Sequence, residues 1–116
     1  MKALKLPKHV RICGVIIPVR VGTSKDCAGL DGAYACYDRD KLIIWVDAST
    51  PAPSRQFWTS HEALHALLGL SGLLEVTKAA FGLKDDDARL EAWEEAVVRV
   101  LTPNIVDVFG PLRGVR

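Results

Sequence analysis

His61-Glu62-Ala63-Leu64-His65 carries two imidazoles four residues apart, with a carboxylate directly after the first. On an α-helix, positions i and i+4 lie one above the other on a single face. Two ring nitrogens so placed can share one divalent cation. The intervening Glu62 then projects near the same point and can act as base toward a water on that ion. Zinc in a catalytic site takes three protein ligands and leaves a fourth position open. A third ligand must therefore come from elsewhere in the chain.

The downstream acids are Glu75, Asp85, Asp86, Asp87, Glu91, Glu94 and Glu95. Helical periodicity separates them. Glu94 falls on the apolar stripe Leu90, Glu94, Val97, Leu101, with Val98 beside it. An unpaired carboxylate there is expensive to bury, and a metal ion would answer its need for a cation. Glu95 lies about 100° further round the helix and Glu91 about 60°. Glu94 ranks first as third ligand and Glu95 second, and a one-residue error of phase reverses them. The competing reading of the whole constellation is a pair of buried structural histidines.

These residues need elements to hold them. Residues 10–21 alternate at period two, with Val15, Ile17, Val19 and Val21 on one face, and read as one strand. Pro18 cannot donate to a ladder, so that strand is expected at an edge or with a bulge. Residues 22–32, with Gly22, Gly29 and Gly32, read as a loop. Residues 33–37 and 41–47 flank the turn signal Asp38-Arg39-Asp40 and form a β-hairpin, in which an exposed edge at 41–47 could hold an extended peptide. Pro51 and Pro53 suit the first turn of a helix. Phe57, His61, Leu64, His65 and Leu68 form its inward stripe, and Gly69, Ser71 and Gly72 end it. Residues 73–83 read as a connector with at most a helical turn.

Asp85-Asp86-Asp87 caps a further helix that runs to about Leu101. Thr102-Pro103 stops it and starts a last short helix with Ile105, Val108 and Phe109. Strands first and helices afterwards make an α+β fold, a small, mostly antiparallel sheet packed on the helix of residues 54–70 and on a second, ligand-bearing helix.

The chain has 116 residues and is expected to form a single domain, 1–116, with 49% hydrophobic residues to build a core. A net charge of +1 argues against strong attraction to nucleic acid or membrane, although the first 25 residues carry six basic side chains and no acid. No signal peptide is read at the N-terminus, and no apolar run approaches the ~18 residues of a membrane span. Cys13, Cys27 and Cys36 are odd in number and hold no C-x-x-C pair, so no disulfide framework is expected. The location expected from this is cytoplasmic, with reduced thiols. Cys13 and Cys36 read as small core residues and Cys27 as a loop residue. Tyr34, Tyr37 and His9 are the candidates to stabilise an oxyanion.

A Gly-x-Tyr strand, an isoleucine-rich strand and the run Thr59-Ser60-His61-Glu62-Ala63-Leu64-His65-Ala66-Leu67-Leu68-Gly69 together resemble the minimal gluzincins. These are small zinc metallopeptidase-like domains akin to the ImmA/IrrE group, often encoded by phages and mobile elements. The likeness covers roughly residues 32–103. It implies a zincin-like fold, Zn2+ as cofactor, His61 and His65 as ligands, Glu62 as the catalytic base, a glutamate ligand from a later helix, and a protein or peptide substrate. The family pattern continues with Glu, then Asn, then an alanine-rich helix ending Leu-Met-Pro. The matching stretch here, Glu91 to Pro103, has no Asn, so the resemblance leaves Glu94 and Glu95 open. No helix-turn-helix or sensor region is read in these residues, so the repressor-cutting role of larger relatives does not carry over. A zinc-dependent peptidase is the leading reading. A non-catalytic zinc-binding interaction domain, a phage or mobile-element accessory protein, is the alternative.

Overall fold

The computed structural model describes residues 6–109, and side chains through Pro103. The order is β1 (His9–Ile12), β2 (Val15–Gly22), a 3-10 turn (Ala28–Leu30), β3 (Ala35–Asp38), β4 (Ile43–Asp47), α1 (Ala52–Leu70), α2 (Leu73–Phe81) and α3 (Ala88–Phe109). The fold is α+β. Among the described residues a sheet of four strands runs β1-β2-β4-β3, antiparallel in the two outer pairs and parallel in the central β2–β4 pair.

Residues 10–21 are not one strand. They turn back at Cys13 and Gly14, whose φ angles are 51° and 77°. Two successive positive φ values are what a tight two-residue hairpin turn demands, and glycine supplies the second without strain. Cys13 is therefore exposed at a turn, not in the core. Pro18 sits at a hand-over. Residues 15–18 pair with β1, and pairing with β4 begins only at Val19. A residue without an N–H is tolerated there because no β4 partner is assigned to it.

β4 is interior, between β2 and β3, so the exposed edge expected at 41–47 does not exist; β3 is the outer strand on that side. In the β3–β4 turn the Asp38 carboxylate accepts the N–H groups of Asp40 and Lys41, both at 3.1 Å. This short hydrogen-bonded turn carries Arg39.

One core lies between sheet and helix. Val10, Ile17, Ile44 and Val46 are fully buried there, with Ala63 and Ala66 of α1 against them. Each large side chain so buried contributes about 1.5–3 kcal/mol. The two alanines are small enough to seat the helix close on the strands. A second core, Leu64, Leu68, Leu74 and Val98, joins α1 to α2 and α3. α1 is thus packed on two sides, and Phe57, expected inward, is exposed. On the other face of the sheet, the loop holding the 3-10 turn buries Leu30. Trp45 packs so close to Gly22 that a Cβ there would lie 2.7 Å from its ring and 2.7 Å from the Asp26 carboxylate. Gly22→Ala is expected to destabilise the fold by about 1–3 kcal/mol, an overpacking effect read as a lower urea midpoint.

Residues 73–81 form a nine-residue helix, not a connector, since Leu74 and Thr77 bury one side of it. α3 does not stop at Thr102-Pro103. Pro103 lies inside it, and the Thr102 hydroxyl donates to the Val98 carbonyl at 2.7 Å. Its buried stripe is Glu94, Val98 and Thr102, and Leu101, expected inward, is 39% exposed. The side chains of Ile105, Val108 and Phe109 lie outside the described residues. Asp87 caps α3 as expected, accepting the Arg89 N–H at 2.8 Å. Among the described residues, no single helix is long and apolar enough to cross a membrane.

Candidate metal centre

α1 delivers His61, Glu62 and His65 to the side that faces α3, and all three are buried or nearly so. α3 answers with two adjacent carboxylates. Glu95 Oε1 lies 3.3 Å from His61 Nε2, and Glu95 Oε2 lies 3.2 Å from His65 Nε2. One donor atom from each of His61, His65 and Glu95 falls within 4.8 Å of the others, so this trio can hold a metal ion. The two histidine–Glu95 separations are close to the ligand–ligand edge of about 3.3 Å that bonds of about 2.0–2.1 Å imply around a small tetrahedral ion.

Glu94 is not in this trio. Its carboxylate takes the other ring nitrogen of His65, Nδ1, and also the guanidinium of Arg39. The cation that a carboxylate on the buried stripe requires is thus supplied by Arg39, and a ring N–H of His65 adds a second donor. A carboxylate on Nδ1 fixes the tautomer that leaves Nε2 free to accept a metal, and it holds the ring in plane. The structure therefore reverses the ranking read from helix phase: Glu95 meets the two imidazoles, and Glu94 orients one of them. The stripe is centred on Val98 and Thr102 rather than on Val97 and Leu101, and that rotation of α3 decides between the two acids.

Electrostatics suit the roles. Burial lowers the His61 pKa, and the neighbouring His65 lowers it further, against a smaller opposing pull from Glu95. This favours the neutral imidazole, the form that ligates metal. Burial raises the Glu62 carboxyl, partly offset by His65 and by the Tyr37 backbone N–H, which donates to it. A carboxylate shifted upward is a better proton acceptor near neutrality.

The centre opens into a cleft of about 820 Å³ lined by Tyr37, Arg39, Glu62, His65, Glu94 and Glu95 among others. That size is in the range of ligand pockets. Of the oxyanion candidates, Tyr37 borders the cleft, and burial raises its phenol pKa, which keeps the hydroxyl protonated. Tyr34 is 57% exposed and stacks on Trp58 at 4.9 Å, and Trp58 in turn contacts the His61 ring at 5.2 Å. His9 is on β1, the opposite edge of the sheet from β3. Nothing in the sequence pattern marks Arg39 as part of the site. It reads there as a turn residue, and its partner Glu94 is 55 residues away.

Cys36, on β3, also borders the cleft. Burial, then the nearby Cys27 thiol, pushes its pKa up to about 11 from 9.0. A folded pKa above the unfolded one means that the fold favours the protonated thiol. That contribution to stability is intact below pH 9.0 and is lost as the pH climbs toward about 11. Iodoacetamide labelling of Cys36 in the folded, reduced protein at pH 8 is accordingly expected to run slower than in the denatured chain, because less of the thiol is ionised in the fold. Equal rates would refute the shift.

No protein-family model, curated protein or solved structure matches the chain.

Proposed function

We propose that this protein is a zinc-dependent metallopeptidase of the gluzincin type, hydrolysing a peptide bond in a protein or peptide substrate. The observation that carries the reading is the meeting of His61 Nε2, His65 Nε2 and the Glu95 carboxylate, with the Glu62 carboxylate buried beside them. Zinc held by the trio would acidify water and polarise a carbonyl oxygen. His61, His65 and Glu95 would hold the ion, and Glu94 with Arg39 would keep His65 aimed at it. Glu62 would accept the proton of the attacking water and pass it to the departing amine nitrogen, two transfers by one carboxylate. The Tyr37 amide holds Glu62 in place for both. An extended peptide would lie along β3, the outer strand at the cleft, as strand addition requires.

The test joins two measurements. The purified chain is assayed for bound metal by mass spectrometry, and then for new N-termini in a denatured protein library. Bound zinc with cleavage that chelation stops supports the reading. A chain that binds no divalent metal overturns the site. A zinc-loaded chain that cuts nothing in the library overturns the enzyme and leaves the zinc-binding interaction domain.

A further inference from the structure

The loop over the outer face of the sheet brings together two cysteines that the sequence keeps nine residues apart. Cys27 precedes the 3-10 turn Ala28–Leu30, and Cys36 lies on β3. The turn packs against β3 and is anchored by Leu30, 2% exposed. At Gly29 the two sulfurs flank one point: a Cβ built there would lie 2.3 Å from Cys36 Sγ and 3.8 Å from Cys27 Sγ. Only a residue without a side chain leaves room for Cys36 to reach into the turn. Cys27 is also the side chain that acts most directly on the Cys36 thiol. Both residues are half-buried, while Cys13 stands apart in the β1–β2 turn.

We propose that Cys27 and Cys36 form a reversible dithiol–disulfide pair that fastens this loop to the strand bordering the cleft. The oxidant is a low-molecular-weight disulfide of the glutathione class. One cysteine, as its thiolate, attacks a sulfur of that reagent and expels one thiolate, leaving a mixed disulfide. The second cysteine, deprotonated, attacks the protein sulfur of the mixed disulfide and expels the other small thiolate. The protein loses two electrons and two protons, and the reagent ends as two thiols. A dithiol reductant reverses both steps. The bond would close a loop of ten residues, 27–36, in which β3 and the turn already touch, so little new order is required. The pairing does not depend on a metal or on catalysis.

The full chain, carrying Cys13→Ser to prevent dimers, is incubated with oxidised glutathione, quenched with iodoacetamide and digested with trypsin. Both cysteines fall in one fragment, residues 26–39, because no Lys or Arg lies between Lys25 and Arg39. The expected product is that fragment lighter by two hydrogens, unalkylated and restored by reduction. Its formation constant should be at least tenfold higher in buffer than in urea. A fragment carrying two alkyl groups, or a lasting glutathione adduct, overturns the proposal, and so does equal oxidation in buffer and urea. In Cys36→Ser the glutathione adduct should persist on Cys27; its loss there would equally refute the pair.

Discussion

Glu62→Gln is expected to leave the zinc content and the fold of the protein unchanged and to lower peptide hydrolysis by 10²–10⁴-fold, about what one positioned general base contributes. Glutamine keeps the shape of the side chain and can still accept a hydrogen bond from the Tyr37 N–H, but it cannot take a proton. The site's other members argue that the variant will fold. Glu62 bonds no metal-trio atom directly, and its buried charge already opposes burial, as its raised pKa records. Removing that charge relieves a desolvation penalty, so a small gain in thermal stability should accompany the loss of activity. The checks are the rate of cleavage, the metal stoichiometry and the melting temperature of the two proteins side by side. Undiminished cleavage would remove Glu62 from the mechanism, and loss of metal would make it a ligand.

The second large effect separates the two carboxylates of α3. Glu95→Ala is expected to weaken zinc binding by at least ~100-fold, because it would remove one of the three groups proposed to hold the ion and leave two imidazoles alone. Glu94→Gln should weaken it by only ~10-fold, since the amide still accepts from His65 Nδ1 while losing its charge and its pairing with Arg39. Thermal unfolding reads the same difference through mass action. At free zinc a hundredfold above Kd, the unaltered protein gains about 2.7 kcal/mol, on the order of 10 °C for a domain of this size. Glu95→Ala should show almost none of that shift at the same zinc. The reverse order of affinities would make Glu94 the ligand and would contradict the geometry found here.

Helix phase ranks Glu94 first, whereas the geometry brings Glu95 to the two imidazoles, and the difference has a physical reason. His61, Glu62 and His65 were legible because their geometry is local: a four-residue spacing on one helix fixes a common face, whatever the rest of the chain does. The third position was not, because the faces of α3 depend on how it docks. The rule that a carboxylate on an apolar stripe needs a cation was sound. It does not say which cation, and the Arg39 guanidinium is the one that answers it, with a His65 ring N–H as a further donor. A guanidinium supplied by a hairpin turn 55 residues upstream leaves no mark in periodicity.

The fold divides the same way. The β3–β4 hairpin and α1 follow from alternation, a turn signal and prolines at a helix start. Cysteine in a left-handed position is uncommon, so at the β1–β2 turn Cys13-Gly14 gives a faint signal beside the usual Asn-Gly. α2 leaves little local signal because its stability comes from burying Leu74 and Thr77 against neighbours that the local sequence does not contain. Thr102-Pro103 reads as a stop in the sequence, yet burial of Val98 and Thr102 holds the helix through it.

The parallel seam at the middle of the sheet has a kinetic consequence. Each outer pair closes over a short turn, whereas β2 and β4 join residues 25 positions apart, as in Val19 with Ile44. Such a pairing carries the greatest chain-closure entropy in the sheet and is repaid only when α1 covers it. The two hairpins are therefore free to form early and independently. The step that makes them one sheet, and so sets the floor on which the histidine helix rests, belongs to the late part of folding.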